Sequence, residues 1–260
     1  MSNKTMLGDA SGRGAVDGFR VTCPAMQHPY TEAEIDAVVK VMREACGQTQ
    51  GKYMVEFEQA FCAFTGAKHA FAVNNCTSAL KMAAIFCHIQ PGDEVIIPTP
   101  SFVCYGPLTS MSLGTPVFVE TKAENEFRLT AEELKAAITP KTKALVLPYP
   151  CNPTGGIMER HDLEAIAEVL ESTNILVISD EIYAELTYGD EHHVSIAEIP
   201  GMYERTIVVN GFSKAYSMTG WRMGYLCGPR ELVSQIIKLH QYGIMSAPTM
   251  SQYAAIEAMQ

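Results

Sequence analysis

Several familiar signatures are missing from this 260-residue sequence, and each absence removes a class of function. No G-x-G-x-x-G follows any early strand-like run, so there is no glycine-rich turn for the pyrophosphate of a dinucleotide. Ser78-x-x-Lys81 has the form of a serine-acylase motif, but the S-D-N and K-T-G partners of that motif are lacking and the match reads as chance. The eight cysteines, at positions 23, 46, 62, 76, 87, 104, 151 and 227, include no C-x-x-C pair. They read as reduced, structural thiols, with no zinc or dithiol redox site and no metal. No apolar run approaches the roughly 18 residues of a spanning helix. Met1–Arg20 is polar and glycine-rich, without the apolar centre of a secretory signal, and reads as a flexible leader. Basic residues are scarce: 19 Lys and Arg face 29 Asp and Glu, a formal charge of −10 that repels nucleic acid and anionic membrane alike. A cytoplasmic protein with a small-molecule partner is the expectation.

The chain does have apolar material for a core, at 47% hydrophobic residues. Seven short β-branched runs recur: Ala70–Val73, Val95–Pro98, Pro116–Val119, Ala144–Leu147, Ile175–Ser179, Thr206–Val209 and Gly224–Cys227. Helical patterns lie between most of them, at Ser78–Cys87, Thr130–Ile138 and Arg160–Leu170, and two more precede them, from Thr31 and over Glu56–Phe64. Thr31 with Glu34, and Thr130 with Glu133, have the spacing of capping boxes. Continuous apolar strands alternating with helices predict an α/β fold, a mostly parallel seven-stranded sheet with helices on both faces. The last run follows its predecessor too closely for a helical crossover and is expected to be an antiparallel edge strand.

In such sheets ligands sit beyond the carboxyl ends of the strands. Asn75-Cys76-Thr77-Ser78 follows a strand and opens a helix, where free N–H groups and hydroxyls cradle a phosphate or simply cap the helix. Asp180 ends an apolar strand, and a carboxylate there needs a cationic or hydrogen-bonding partner or its pKa rises. Lys214 lies just past another strand; buried, it would be a nucleophilic amine, exposed, an ordinary surface lysine. Arg222 follows shortly after it. His192-His193, in a charged loop, reads as solvated surface, and Trp221, the single tryptophan, as packing.

Taken together, Asn152-Pro153-Thr154-Gly155-Gly156, Ser179-Asp180-Glu181-Ile182-Tyr183 and Ser213-Lys214 through Trp221-Arg222-Met223-Gly224 closely resemble the class I aminotransferases, pyridoxal-phosphate enzymes of fold type I. The resemblance implies that Lys214 bonds the cofactor pyridoxal 5'-phosphate and shuttles a proton, that Asp180 pairs with the pyridine nitrogen, and that Tyr183 and Asn152 donate to the ring's phenolic oxygen. It places Phe102 as an aromatic stacked on the ring, and Cys76, Thr77, Ser78, Ser213 and Arg222 around the phosphate. Gly211 stands where the family usually has a Ser or Thr, which implies one phosphate donor fewer. The resemblance also implies amino acid and 2-oxo acid substrates and a homodimer, with Tyr53 a candidate to reach a neighbouring chain's cofactor phosphate.

Between residues 20 and 100, Pro24, Glu34-Ile35, Gly51, Val55-Glu56-Phe57-Glu58 and the loop from Asn75 to Leu80 look more like the sugar aminotransferases of the same fold type. The expected plan is a leader at 1–20, an N-terminal segment at 21–50 and a cofactor-binding large domain at 51–260. Class I enzymes continue into a small C-terminal domain that clamps the substrate carboxylate, so this chain is expected to be truncated inside a long helix. Aminotransfer is the reading favoured; a β-elimination lyase of the same fold, a cyclopropane-forming synthase, an inactive fragment and a non-catalytic relative are its competitors.

Overall fold

Each of the seven apolar runs forms a strand, because branched and aromatic side chains fit a pleated surface; six of them are largely buried, and the edge strand over Thr115–Glu120 is not. The computed structural model describes residues 30–44, 52–86, 89–188 and 192–259, so the leader at 1–20 and Cys23, Cys46 and Cys87 lie outside the described residues. In chain order the elements are α1 (Glu32–Glu44), α2 (Lys52–Thr65), β1 (Ala70–Val73), α3 (Cys76–Phe86), β2 (Glu94–Thr99), α4 (Tyr105–Met111) and β3 (Thr115–Glu120). Then follow α5 (Ala131–Ala137), β4 (Thr142–Leu147), α6 (Arg160–Glu171), β5 (Leu176–Asp180), β6 (Thr206–Gly211), β7 (Gly224–Cys227), α7 (Arg230–Gly243) and α8 (Thr249–Ala258).

The sheet order is β1-β7-β6-β5-β4-β2-β3. Pairing is parallel from β3 through β6, and β7 runs antiparallel to both of its neighbours. The expectation of an antiparallel last strand therefore holds, but its placement at an edge does not. β7 lies inside the sheet because β1 comes back to pair with it, Val73 opposite Gly224. The edges are β1 and β3.

Both faces are covered. On one, Val95 and Ile97 of β2, Val146 of β4, Ile178 of β5 and Val209 of β6 pack with Leu80 of α3, Tyr105 of α4 and Ile236 of α7. On the other, Ile96, Leu145, Leu147 and Val177, offset by one residue, pack against Leu134 of α5 and Leu163, Ile166 and Leu170 of α6. Each such side chain taken from water contributes about 1.5–3 kcal/mol. A third cluster joins Phe57 and Phe61 of α2 to Phe212, Met223 and Ala254. Trp221 packs against that cluster, as read from the sequence.

Both expected capping boxes form. Thr31 Oγ1 accepts from the Glu34 N–H at 3.2 Å while the Glu34 carboxylate accepts from the Thr31 N–H at 2.7 Å, and Thr130 and Glu133 open α5 in the same way. Two further boxes, Glu159 with Asp162 and Ser195 with Glu198, open α6 and a short 3-10 turn. The long helix expected at the end of the sequence is, among the described residues, the ten-residue α8.

Candidate functional site

β1 to β6 all point their carboxyl ends the same way, so the residues after them converge on one edge of the sheet. β7 runs the other way, which brings its beginning, and with it Arg222, to that same edge. The result is a cavity of about 220 Å³ lined by Asn75, Cys76, Thr77, Phe102, Cys104, Tyr105, Asn152, Asp180, Tyr183, Ser213, Lys214, Thr219 and Arg222 among others.

Asp180 is the last residue of β5, paired in register with Val209, and its side chain is 4% exposed. All of its hydrogen-bond donors are neutral: the Tyr105 hydroxyl to Oδ2 at 2.9 Å, and the Ile182 N–H and the Cys76 thiol to Oδ1 at 3.3 and 3.6 Å. Burial outweighs these donors and pushes the carboxyl up to about 6. Burial, and then the neighbouring Asp180, push the Cys104 thiol up to about 12 and Cys76 well above its ordinary value, so both remain neutral thiols.

Lys214 shares the cavity with Asp180, and its Nζ lies 5.6 Å from the centre of the Tyr183 ring. Of the two alternatives left open by the sequence the residue is the exposed one, yet it lines the cavity rather than the outer surface alone. It sits in the turn that follows β6, at the open rim of the sheet, and not against the core. Asn152 Nδ2 donates to the Tyr183 hydroxyl at 3.2 Å. Asn152 is held by a tight loop in which the Cys151 N–H donates to Gly156 O and the Gly155 N–H to Cys151 O.

Arg222 adopts a left-handed backbone conformation, φ 54°, and donates from Nη1 to Thr219 O at 2.8 Å; Thr219 Oγ1 in turn donates to Ser213 O at 2.9 Å. The Lys214 turn and the Arg222 turn are thus tied together. At Gly211 a Cβ would come within 3.0 Å of Met223 O and 3.1 Å of Gly224 Cα, so the crowded β6–β7 pairing leaves little room for the Ser or Thr of the family pattern.

Of the residues expected at the site, Asp180, Lys214, Tyr183, Asn152, Cys76, Thr77, Phe102, Ser213 and Arg222 line this one cavity. Ser78 is not among its lining residues; its N–H is taken by Asn75 Oδ1 at 2.8 Å, the helix-capping role left open above. Phe102 stands at the rim, 46% exposed. Tyr53 is buried, donates to Glu44 and packs on Tyr253 at 4.5 Å, so its hydroxyl is engaged within its own chain.

His193 is not solvated surface. Its Nε2 lies 2.9 Å from a carboxylate oxygen of the buried Glu181. Among the described residues no group of three or more metal-ligating side chains is assembled, and no helix is long and apolar enough to cross a membrane. Tyr105 is the one strong partner of Asp180 that sequence reading missed. An aromatic residue just past the β2 end was the only available signal.

Comparison with known proteins gives this α/β fold a family. The chain belongs to the aminotransferase class I and II family, whose profile matches residues 24–260. Members of that family use pyridoxal 5'-phosphate. The chain is 47% identical over 171 residues to an aspartate aminotransferase of Pyrococcus abyssi, covering 66% of this chain and 44% of that protein. It is 43% identical over 171 residues to aromatic-amino-acid aminotransferase 2 of Thermococcus litoralis, again covering 66% and 44%. The solved aromatic aminotransferase from Pyrococcus horikoshii superposes with a TM-score of 0.81 at 36% identity, covering 87% of this chain and 63% of that one. The Thermus thermophilus aspartate aminotransferase with maleate gives 0.80 at 32%, covering 88% and 61%. The matched part is thus a little under half the length of these sequence relatives.

Proposed function

We propose that this chain is the cofactor-binding large domain, 51–260, of an aminotransferase that moves an amino group between an amino acid and a 2-oxo acid. The observation that carries the reading is Asp180: a buried carboxylate served only by neutral donors, opening on a slot that also holds a lysine and an arginine. A protonated pyridine nitrogen is the partner that burial of such a carboxylate calls for.

The residues present fit pyridoxal phosphate. The α3 N-terminus with Cys76 and Thr77, the Ser213 hydroxyl and the Arg222 guanidinium form a phosphate-binding set, with helix-end N–H groups and a planar cation on one dianion. Phe102 covers the rim with an aromatic face. Asn152 and Tyr183, already joined, present donors to one oxygen. When bound, this cofactor would supply an aldehyde carbon that takes up the amino group in one half-reaction and gives it up in the next, and a ring that withdraws electrons from the substrate α-carbon.

The protein's own part is proton placement. Asp180, a fixed and buried carboxylate, would face the pyridine nitrogen and favour a proton there. Lys214 Nζ, at the slot mouth, takes the substrate α-proton and returns it. The names of the relatives bring aspartate and aromatic amino acids forward as donors. A homodimer in the cytoplasm, with no nucleic-acid or membrane partner, completes the proposal.

The test is spectroscopic. Pyridoxal phosphate added to the protein should produce a visible band above that of free cofactor, and Lys214→Ala should lose it. A variant with the wild-type band refutes the assignment. Pyruvate and ammonia formed in place of a transferred amino group would point instead to a β-elimination lyase.

A further inference from the structure

We infer that Glu181, gripped by Ser179, Ser195 and His193, is a positioning residue that fixes Asp180 in the slot from the opposite face of the sheet. Consecutive residues at a strand end point to opposite faces. Asp180 lines the slot, whereas Glu181 lines a second cavity of about 610 Å³, together with Lys68, His193, Ser195, Glu198 and Tyr203. Glu181 is 5% exposed.

Each of its carboxylate oxygens is engaged. Oε1 accepts from Ser179 Oγ at 2.8 Å and from Ser195 Oγ at 2.7 Å, and Oε2 meets His193 Nε2 at 2.9 Å. Its backbone N–H donates to Val209 O at 2.9 Å, carrying the β5–β6 ladder one residue past Asp180. The residue before Asp180 and the residue after it are therefore joined through one carboxylate, which is itself tied to the loop at 193–198. Ser195 is fixed in its turn as the cap of the 3-10 turn there, its own N–H donating to Glu198 at 3.1 Å.

A buried carboxylate is a costly anchor where an apolar side chain would pack. What it adds is direction: three hydrogen bonds set the torsion of the strand end, and so the line along which Asp180 meets its partner. The Glu181 charge also lies beside Asp180 and disfavours ionisation there. The other ionisable groups facing Glu181 from this cavity are Lys68, Glu185, Glu198 and Tyr203, with Tyr225 and Cys227 behind them.

This inference rests on the cofactor reading, and its test separates the two. Cofactor titrations would compare wild type, Lys214→Ala, Glu181→Ala and Glu181→Gln, with Tm recorded for each. A wild-type band that Lys214→Ala loses upholds the reading. Glu181→Ala should then raise the cofactor dissociation constant about tenfold and move the pH midpoint of the band. Glu181→Gln, whose oxygen still accepts from both serines, should return the constant toward the wild-type value.

A lower Tm for Glu181→Ala with an unchanged constant and midpoint would overturn the inference and leave the reading standing. Should that variant not fold, Ser195→Ala and His193→Ala each remove one grip. Both should raise the constant to a smaller degree, and unchanged constants in both overturn the inference. Should wild type bind no cofactor, the Asp180 carboxyl carbon resonance in the cofactor-free chain decides. Its midpoint should move in Glu181→Ala and in Ser195→Ala, and an unmoved midpoint is refutation.

Discussion

Gly224 is where a single methyl group should separate folding from cofactor binding. It opens β7, opposite Val73 on one side and Gly211 on the other. A Cβ built there falls 2.8 Å from Asn75 C and from Cys76 N, and 3.2 Å from Asn210 O. All three are backbone atoms, so no rotamer change relieves the contact. Ordinary contact begins near 3.4 Å, and the 75–76 loop or the strand must yield by about 0.6 Å. Overpacking of this kind costs about 1–3 kcal/mol, of which the stiffer unfolded chain returns about 0.5 kcal/mol.

The loop that moves presents the first N–H groups of α3, the proposed phosphate cradle. Because misplacement by about 1 Å costs roughly 100-fold in a positioned site, Gly224→Ala should weaken cofactor binding about tenfold or more. Urea denaturation would measure the first effect. Cofactor titration followed by the fluorescence of Trp221, the single tryptophan and the neighbour of Arg222, would measure the second. Gly243→Ala, at the end of α7 with no atom within 4 Å of its Cβ, is the control: it should leave the affinity unchanged and raise urea stability by about 0.5 kcal/mol through the stiffer unfolded chain alone. Wild-type urea midpoint and wild-type affinity in Gly224→Ala would refute the packing argument.

Two further substitutions test the electrostatics. Burial pushes Asp180 up to about 6, so the folded chain holds its proton more tightly than the unfolded chain; this group's support for folding is complete below about pH 4 and is lost as pH rises toward 6. The loss is on the order of 3 kcal/mol. Asp180→Asn should therefore gain urea stability relative to cofactor-free wild type between pH 4 and 7 while losing cofactor affinity, and a relative loss of stability over that range would contradict the assignment. Arg128 pairs with Glu126 at 2.7 Å, Glu159 at 2.8 Å and Asp162 at 3.0 Å, with its side chain 18% exposed. Arg128→Ala leaves three carboxylates facing one another and should cost about 2 kcal/mol in urea denaturation, partly recovered by salt; a cost that salt leaves unchanged would mean that packing, not charge, is what Arg128 supplies.

The strands and most of the slot were legible because their signals are local. A β-branched run bounded by Pro or Gly declares a strand, and residues just after such runs declare themselves as rim positions; Asp180, Lys214 and Asn152 were found that way. Helix α4, with Gly106 and Pro107 in its first turn, has no such signal. Nor does the contact between Tyr105 and Asp180, which are 75 positions apart. It exists because β2 and β5 lie parallel in one sheet with only β4 between them, and strand order is not written in any one segment. The engagement of His193 was hidden for a similar reason: a charged loop looks solvated until the buried Glu181 it folds against is known. Exposure of Lys214 could not be read from the sequence because proximity to a strand end does not fix burial; the turn after β6 projects from the rim.

The reversal of β7 accounts for three features that look unrelated in the sequence. Reversal places the start of β7, not its end, at the edge where the other strands finish, so Arg222 arrives beside Lys214 after only a short connection. It makes β6 and β7 meet at Gly211 and Gly224, where a side chain on either would strike backbone. And it puts Gly224 directly under the Asn75–Cys76 turn, so the α3 N-terminus can settle onto the sheet. A parallel β7 would need a helical crossover after Lys214 and would deliver Arg222 to the far edge of the sheet. The eight-residue step from Lys214 to Arg222 is thus the length of an antiparallel return, and the pairing of lysine and arginine in one slot follows from strand direction.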